Sequence, residues 1–179
     1  MIFDMWMGDN FCQKARLVAD RHKTKVHTSS TYSTVVSRDS VHLFFILAPL
    51  NGLYLLAADV ENTYLNVPCR KHWIWAWPEF SKDEGCIYIV VQALYGFRSS
   101  WAAFCVYLTE ILDKIGFKSS IADPDVWLQQ STLPDNQHYY KYILVYVDNI
   151  LCISHNLKET ILQISNHMVK KRVMTHKQV

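Results

Sequence analysis

Apolar residues occupy every side of one predicted helix and a single stripe of another. From Arg38 to Leu50 the apolar side chains leave no polar face, which predicts a helix buried all round in the core. Ser37 is a suitable N-cap, and Pro49 and Gly52 mark the end of this helix. Apolar residues recur every three or four positions from Trp101 to Ile115, and this spacing predicts an amphipathic helix.

Short apolar runs predict the strands. The run from Leu53 to Ala58 is wholly apolar and ends at Asp59, as expected for a strand buried on both faces. The segments His138–Val147 and Ile150–Ser154 predict a hairpin with the two-residue tip Asp148-Asn149. The remaining predicted elements are strands at His72–Trp77, Cys86–Val91 and Val126–Gln129 and an amphipathic helix from Leu157 to Met168, with no element after it. Because strands and helices do not alternate regularly, the predicted fold class is α+β.

The length and composition fit one compact domain or a substantial piece of one. The chain has 179 residues, of which 50% are hydrophobic and 19% are charged, so intrinsic disorder is excluded. The net charge of +2 is too small to indicate nucleic-acid binding by itself. Five dispersed cysteines without Cys-x-x-Cys spacing indicate neither a zinc site nor a disulfide framework, so we expect a reducing, intracellular setting.

No segment is predicted to span a membrane. The longest apolar region, residues 41–58, is interrupted by Pro49, Asn51 and Gly52, so neither part reaches the roughly 20 apolar residues of a spanning helix. The first residues lack the basic flank and the cleavage site of a signal peptide. We therefore expect a cytoplasmic protein.

Two aspartates follow buried apolar segments. Asp59 ends a predicted strand, and Asp148 lies at the tip of the predicted hairpin. Buried carboxylates are costly unless they are paired, hydrogen-bonded or bound to a metal, and Mg²⁺ prefers such oxygen ligands. A structural interpretation stays open for each, because Asp59 can cap the following segment and Asp148-Asn149 is also ordinary turn chemistry.

Five segments of the chain carry recognisable motifs: Lys14–Ala19, Ala58–Asn66, Ala93–Ser100, Ala122–Trp127 and Tyr146–Ile150. They resemble, in the same order, motifs of the reverse transcriptases of copia-type retrotransposons. The family motifs are Lys-Ala-Arg-Leu-Val-Ala, Asp-Val-x-x-Ala-Phe/Tyr-Leu-Asn, Leu-Tyr-Gly-Leu-Lys-x-Ser, Ala-Asp-Pro-x-x-aromatic and Tyr-x-Asp-Asp. The resemblance covers roughly residues 1–154, and the shared order of five motifs makes it specific.

The resemblance implies a fold and an activity. It implies reverse-transcriptase fingers and palm, an antiparallel sheet backed by helices, with residues 1–50 as partial fingers and 51–179 as a palm that ends before the thumb. It implies an RNA-directed DNA polymerase that transfers a nucleotide to a primer 3′-hydroxyl. The partners would be an RNA template, a DNA primer and a dNTP.

The resemblance also assigns the metal site. Asp59, Val60 and Asp148 would hold two Mg²⁺ ions, with Mn²⁺ as an alternative. Asn149 occupies the position of the second aspartate of the family hairpin, so it belongs to the implied catalytic set together with Asp59 and Asp148.

Five further residues would bind nucleotide or template by the same resemblance. Tyr64 lies where the family keeps an aromatic ring that excludes a ribose 2′-hydroxyl, although a packing role in the core is an equal alternative. Gly96 would let the backbone approach the nucleotide closely. Cations suited to phosphate oxygens are supplied by Lys14, Arg16 and Arg98.

The chain departs from the family pattern at Asn149. The neutral amide removes one of three negative charges, so we expect a strongly impaired polymerase. The alternatives are a non-catalytic remnant that binds RNA or an RNA–DNA hybrid, and a degenerate fragment with no activity.

Overall fold

The computed structural model describes residues 2–6, 12–16, 18, 34–60, 63–76, 78, 85–97, 99–168 and 175–177. In chain order the elements are β1 (Ile2–Trp6), β2 (Cys12–Arg16), α1 (Arg38–Leu50), β3 (Tyr54–Asp59), a 3₁₀ turn (Thr63–Asn66), β4 (Pro68–Trp75), β5 (Ile87–Gln92), α2 (Ser100–Lys114), β6 (Lys118–Ser119), β7 (Val126–Thr132), β8 (His138–Tyr146), β9 (Asn149–Ser154), α3 (Leu157–His167) and β10 (Thr175–Lys177). The α+β class is confirmed. None of the helices described is both long and apolar enough to cross a bilayer.

The chain forms two compact units, and neither is continuous in sequence. The first comprises Met1–Tyr32 and Tyr64–Phe104, and the second comprises Ser33–Thr63 and Cys105–Val179. In the first unit, β1 pairs with β2 and β4 pairs with β5, both in antiparallel hairpins. The division into fingers at 1–50 and palm at 51–179 stays a prediction.

The second unit contains an antiparallel sheet in the order β10-β3-β9-β8-β7-β6. The hairpin β8–β9 is therefore central, with β3 directly beside β9. The edge strand β10 was not predicted, because its three residues are all polar or charged and carry no apolar alternation.

Helix α1 packs on one face of this sheet, and the prediction that it is buried all round was wrong. Its boundaries and its N-cap are as predicted, since Ser37 Oγ accepts a hydrogen bond from the backbone N–H of Ser40. Only Phe44 and Ala48 are buried in the helix, whereas Leu43 is 54% exposed and Ile46 is 61% exposed. The helix meets one sheet face, so only one stripe of it finds a packing surface.

Strand β3 is less buried than its apolar sequence predicted. Tyr54 is 63% exposed, and within the strand only Ala58 is fully buried. The cause is the sheet order, because the short β10 pairs only with Ala57, Ala58 and Asp59 and leaves the start of β3 near an edge.

The opposite face of the sheet packs against α3. The Thr160 hydroxyl donates to Ser154 Oγ at 3.2 Å, and the amine of Lys141, a residue only 5% exposed, lies 4.0 Å from the carboxylate of Glu159. Cys152 is on the same face as Ser154, and burial raises the pKa of its thiol to about 12. A thiol with that pKa stays protonated at neutral pH and acts as a small packing group.

Asp123 ties the segment before β7 to the start of α1. Its Oδ2 accepts hydrogen bonds from Ser37 N at 3.0 Å and from Ser40 Oγ at 2.6 Å, and its Oδ1 accepts one from Asp125 N at 3.2 Å. Burial by itself would raise the pKa of this carboxyl, but the hydrogen bonds from Ser40, Ser37 and Asp125 outweigh it and leave the pKa below its usual 3.8.

We expect Asp123→Ala to lower the free energy of unfolding by about 1–3 kcal/mol at neutral pH, because hydrogen bonds to a charged acceptor are lost. Since the folded-state pKa is depressed, this contribution is present above the unfolded-state pKa and is lost as the pH falls through the folded-state value. Urea unfolding at about pH 7 and about pH 2 measures the difference in free energy of unfolding between the variant and the native chain. Asp113→Ala, which removes an exposed carboxylate, is the control. A gap between the Asp123 variant and the native chain that does not narrow in acid would contradict this account.

Candidate active site

The hairpin between β8 and β9 has its turn one residue earlier than predicted. Tyr146 pairs with Asn149, so the two turn residues are Val147 and Asp148, and Asn149 is the first residue of β9. The sequence favoured Asp148-Asn149 because both residue types tolerate left-handed backbone. In the structure Val147 takes that conformation, with a φ of 53°.

A positive φ at valine is strained. The branched Cβ collides with the backbone there, and such conformations cost about 1–3 kcal/mol. The cross-strand pairs of β8 and β9 impose this turn, since pairing continues to Tyr146 and Asn149 on its two sides.

We expect Val147→Gly to raise the free energy of unfolding by about 1 kcal/mol, because glycine adopts a positive φ without strain. The strain removed from the folded state outweighs the larger conformational entropy that glycine loses on folding. Thermal and urea unfolding measure the change. Val106→Gly, at an exposed position of α2, is the matched control and should destabilise by about 0.5 kcal/mol, because glycine has a lower helix propensity than valine. If both variants lose stability alike, the turn is not strained.

The sheet brings the two aspartates to one end. Asp59 pairs directly with Asn149 across β3 and β9, so their side chains share a face of the sheet. One residue on, the N–H of Val60 donates to the carbonyl of Asp148 at 2.8 Å. The backbones of residues 59–60 and 148–149 are thus in direct contact, and both aspartates are half-buried.

Side-chain contacts define the polar groups at this end. Asn149 Nδ2 donates a hydrogen bond to Asp148 Oδ1 at 3.0 Å. The carbonyl of Val60, a residue only 4% exposed, accepts a hydrogen bond from Thr63 Oγ1 at 2.6 Å. This bond uses one of the two lone pairs that the carbonyl has for a metal. Thr63 was not among the predicted site residues, because a threonine at a turn is common.

The oxygen donors fit a hard divalent cation in number and kind. Mg²⁺ is usually bound by one or two carboxylates, with water and substrate phosphates completing the octahedron, and Asp59 and Asp148 supply two carboxylates at one sheet end. Among the described residues, no group of three or more His, Cys, Asp or Glu could hold a metal on its own. The residues that would hold the ion are therefore the two aspartates and the remaining lone pair of the Val60 carbonyl.

A cavity of about 450 Å³ adjoins the hairpin on the face that carries Asn149. Tyr146 and Asn149 form part of its lining, and Arg38 from the first turn of α1 is the one charged residue among the described lining positions. Its volume is in the range of small-ligand sites. Arg38 was not among the predicted residues, because nothing local links the start of α1 to the hairpin.

Two of the predicted nucleotide-binding residues, Tyr64 and Gly96, lie in the first unit, and the structure describes the conformation around them. The half-buried Tyr64 packs edge-to-face on Tyr95, with ring centroids 4.7 Å apart. Gly96 follows Tyr95 and has a φ of 93°, a conformation that side chains rarely adopt. The glycine is thus required by the turn itself, whatever approaches it.

The structure describes less about the three predicted cationic residues. Lys14 and Arg16 lie on β2, where they pair with Asp4 and Ile2 of β1. Arg98 lies outside the described residues. The roles of all three stay predictions.

Comparisons with known proteins identify the family. The model of the family described as reverse transcriptase (RNA-dependent DNA polymerase) matches residues 8–177. The chain is 28% identical over 143 residues to the "Retrovirus-related Pol polyprotein from transposon RE1" of Arabidopsis thaliana, an alignment that covers 77% of this chain and 9% of that protein.

A second relative supports the same assignment. The chain is 26% identical over 166 residues to the "Retrovirus-related Pol polyprotein from transposon RE2" of Arabidopsis thaliana, covering 88% of this chain and 11% of the relative. The chain thus spans about a tenth of the length of these curated relatives, and no solved structure matches it significantly. Because the family match extends over nearly the whole chain, the chain belongs to the reverse transcriptase (RNA-dependent DNA polymerase) family.

Proposed function

We propose that this chain is a fragment of a copia-type reverse transcriptase whose site performs two-metal nucleotidyl transfer to a primer 3′-hydroxyl, with activity reduced by Asn149. The observation that supports it most is the meeting of Asp59 and Asp148 at one sheet end through the 2.8 Å bond between Val60 N and Asp148 O. Members of this family bind a nucleic-acid template and primer, so an RNA template, a DNA primer and a dNTP are the proposed partners.

The chain's own residues would bind and orient the reactants. Two Mg²⁺ ions, when bound, supply the positive charge that favours ionisation of the primer hydroxyl and stabilises the leaving pyrophosphate. Asp59 and Asp148 would bind these ions from fixed positions, because Asp59 ends a strand and Asp148 lies in a two-residue turn between paired strands. The reaction joins the primer 3′-oxygen to the α-phosphorus and breaks the bond from that phosphorus to the pyrophosphate oxygen.

The other predicted site residues would bind the nucleotide or the template. Tyr64 would exclude a ribose 2′-hydroxyl, and Tyr95 supports this role because it restrains the ring of Tyr64 from one side. Lys14, Arg16 and Arg98 would neutralise phosphate charge. We assign residues 1–50 to the fingers and 51–179 to the palm on the same proposal.

The second candidate is nucleic-acid binding without catalysis, and Asn149 is the observation that favours it. Losing one carboxylate of three weakens cation binding far more than it weakens contacts to template and primer, which depend on other residues. Such a chain still binds template and primer, while its rate of nucleotide transfer falls.

Primer extension by the whole chain tests the proposal. A labelled DNA primer on an RNA template is incubated with dNTPs and Mg²⁺, Mn²⁺ or EDTA. We expect slow template-directed extension with either cation and none with EDTA. If the chain binds the template–primer but extends it with neither cation, the second candidate replaces the proposal. If the chain neither binds nor extends the template–primer, it is a degenerate fragment with no activity.

A further inference from the structure

Asn149 has a hydrogen-bonding capacity that an aspartate at the same position lacks. Its Nδ2 donates to Asp148 Oδ1 at 3.0 Å, whereas a second carboxylate there would offer only acceptors. The amide must present its nitrogen to Asp148, because its oxygen would be repelled by the carboxylate. The direction of this hydrogen bond therefore follows from the negative charge of the carboxylate as well as from the observed geometry.

The register places Asn149 beside both aspartates. Asn149 pairs across the strands with Asp59 and is the chain neighbour of Asp148. A neutral donor at this position lowers the repulsion that three adjacent carboxylates would suffer without a cation. The hydrogen bond also restrains the Asp148 side chain, which lies in the two-residue turn between β8 and β9.

We propose that Asn149 is a positioning residue, which orients the Asp148 carboxylate for a divalent cation through the Nδ2–Oδ1 hydrogen bond. This inference rests on the proposed function, and it assigns Asn149 a role different from that of a weakened metal ligand. Asp148 Oδ1 accepts the amide hydrogen, which leaves Oδ2 available to a cation. Asn149 thus acts on the metal through Asp148.

Mn²⁺ affinity of the whole chain, measured by electron paramagnetic resonance without nucleotide or primer, tests the inference. Asn149→Leu keeps the size of the side chain and removes the donor, and we expect it to weaken Mn²⁺ binding about tenfold, the value of a hydrogen bond to a charged group. Asn166→Leu, at an exposed position of α3, is the matched control and should leave the affinity unchanged. Unchanged melting temperatures confirm that each variant is folded.

A double-mutant cycle separates positioning from direct ligation. In an Asp148→Asn background the Asn149→Leu change should cause no further loss, because the carboxylate that the amide orients is gone. An equal loss in both backgrounds would overturn the inference and make Asn149 an independent ligand, and no loss in either would overturn it as well. If the native chain itself binds no Mn²⁺, the metal site of the proposed function fails, and this inference fails with it.

Discussion

The Asp59→Asn chain should lose template-directed primer extension by at least about a thousandfold. A unit charge about 4 Å from a divalent cation is worth several kcal/mol even in a polar environment, and a net loss of about 4 kcal/mol corresponds to that factor in rate. Asp59 is half-buried at the end of β3, where the backbone of residues 59–60 contacts that of residues 148–149. Single-nucleotide incorporation at saturating Mg²⁺ measures the loss.

Asp113→Asn is the matched control for this variant. Asp113 is an exposed residue near the end of α2, where its carboxylate lies 3.5 Å from the Lys118 amine, so the same substitution should leave extension unchanged. Extension by the Asp59 variant at the native rate would remove the physical basis of the polymerase assignment.

Asn149→Asp should raise Mg²⁺-dependent extension by about a hundredfold. The substitution restores a third negative charge beside Asp59 and Asp148, and a net gain of about 3 kcal/mol in binding the charged transition state corresponds to that factor. The hydrogen bond from Nδ2 to Asp148 is lost, but the added charge acts on the cation directly and outweighs it. Single-turnover rates of the two chains provide the comparison.

The same substitution should have an opposite effect on stability without metal. In EDTA the additional carboxylate repels Asp59 and Asp148, so we expect the Asn149→Asp chain to melt below the native chain. Saturating Mg²⁺ should raise its melting temperature more than that of the native chain, because the cation binds the folded state more tightly. Equal extension rates and equal melting temperatures in both conditions would show that position 149 has no influence on the cation.

Local patterns were sufficient to predict most elements. The 3-4 spacing predicted α2 within a residue of its observed limits, and the boundaries of α1 and the N-cap Ser37 were correct. These features depend on neighbours within one helical turn, which a sequence displays directly. Burial was predicted less well, because the exposed side chains of α1 and Tyr54 depend on which surface each element meets.

The candidate site was only partly predictable. The positions Asp59 and Asp148 followed from the ends of apolar segments and from the family resemblance, but the turn residue Val147 did not, because its positive φ is imposed by the pairing of β8 with β9. Strand β10 and Arg38 reach the same sheet end from distant parts of the chain. A short strand and a helix terminus carry no local signal for the partner beside which they pack.

The α+β class, the limits of the main helices, the order of five family motifs and the two acidic positions could all be derived from the sequence. Three contacts required the folded chain: Asp59 pairs with Asn149, Val60 N–H donates to the Asp148 carbonyl, and the Asn149 amide donates to the Asp148 carboxylate. The physical reason is range: periodicity records contacts a few residues apart, whereas strand register between distant segments is fixed by the packing of the whole sheet.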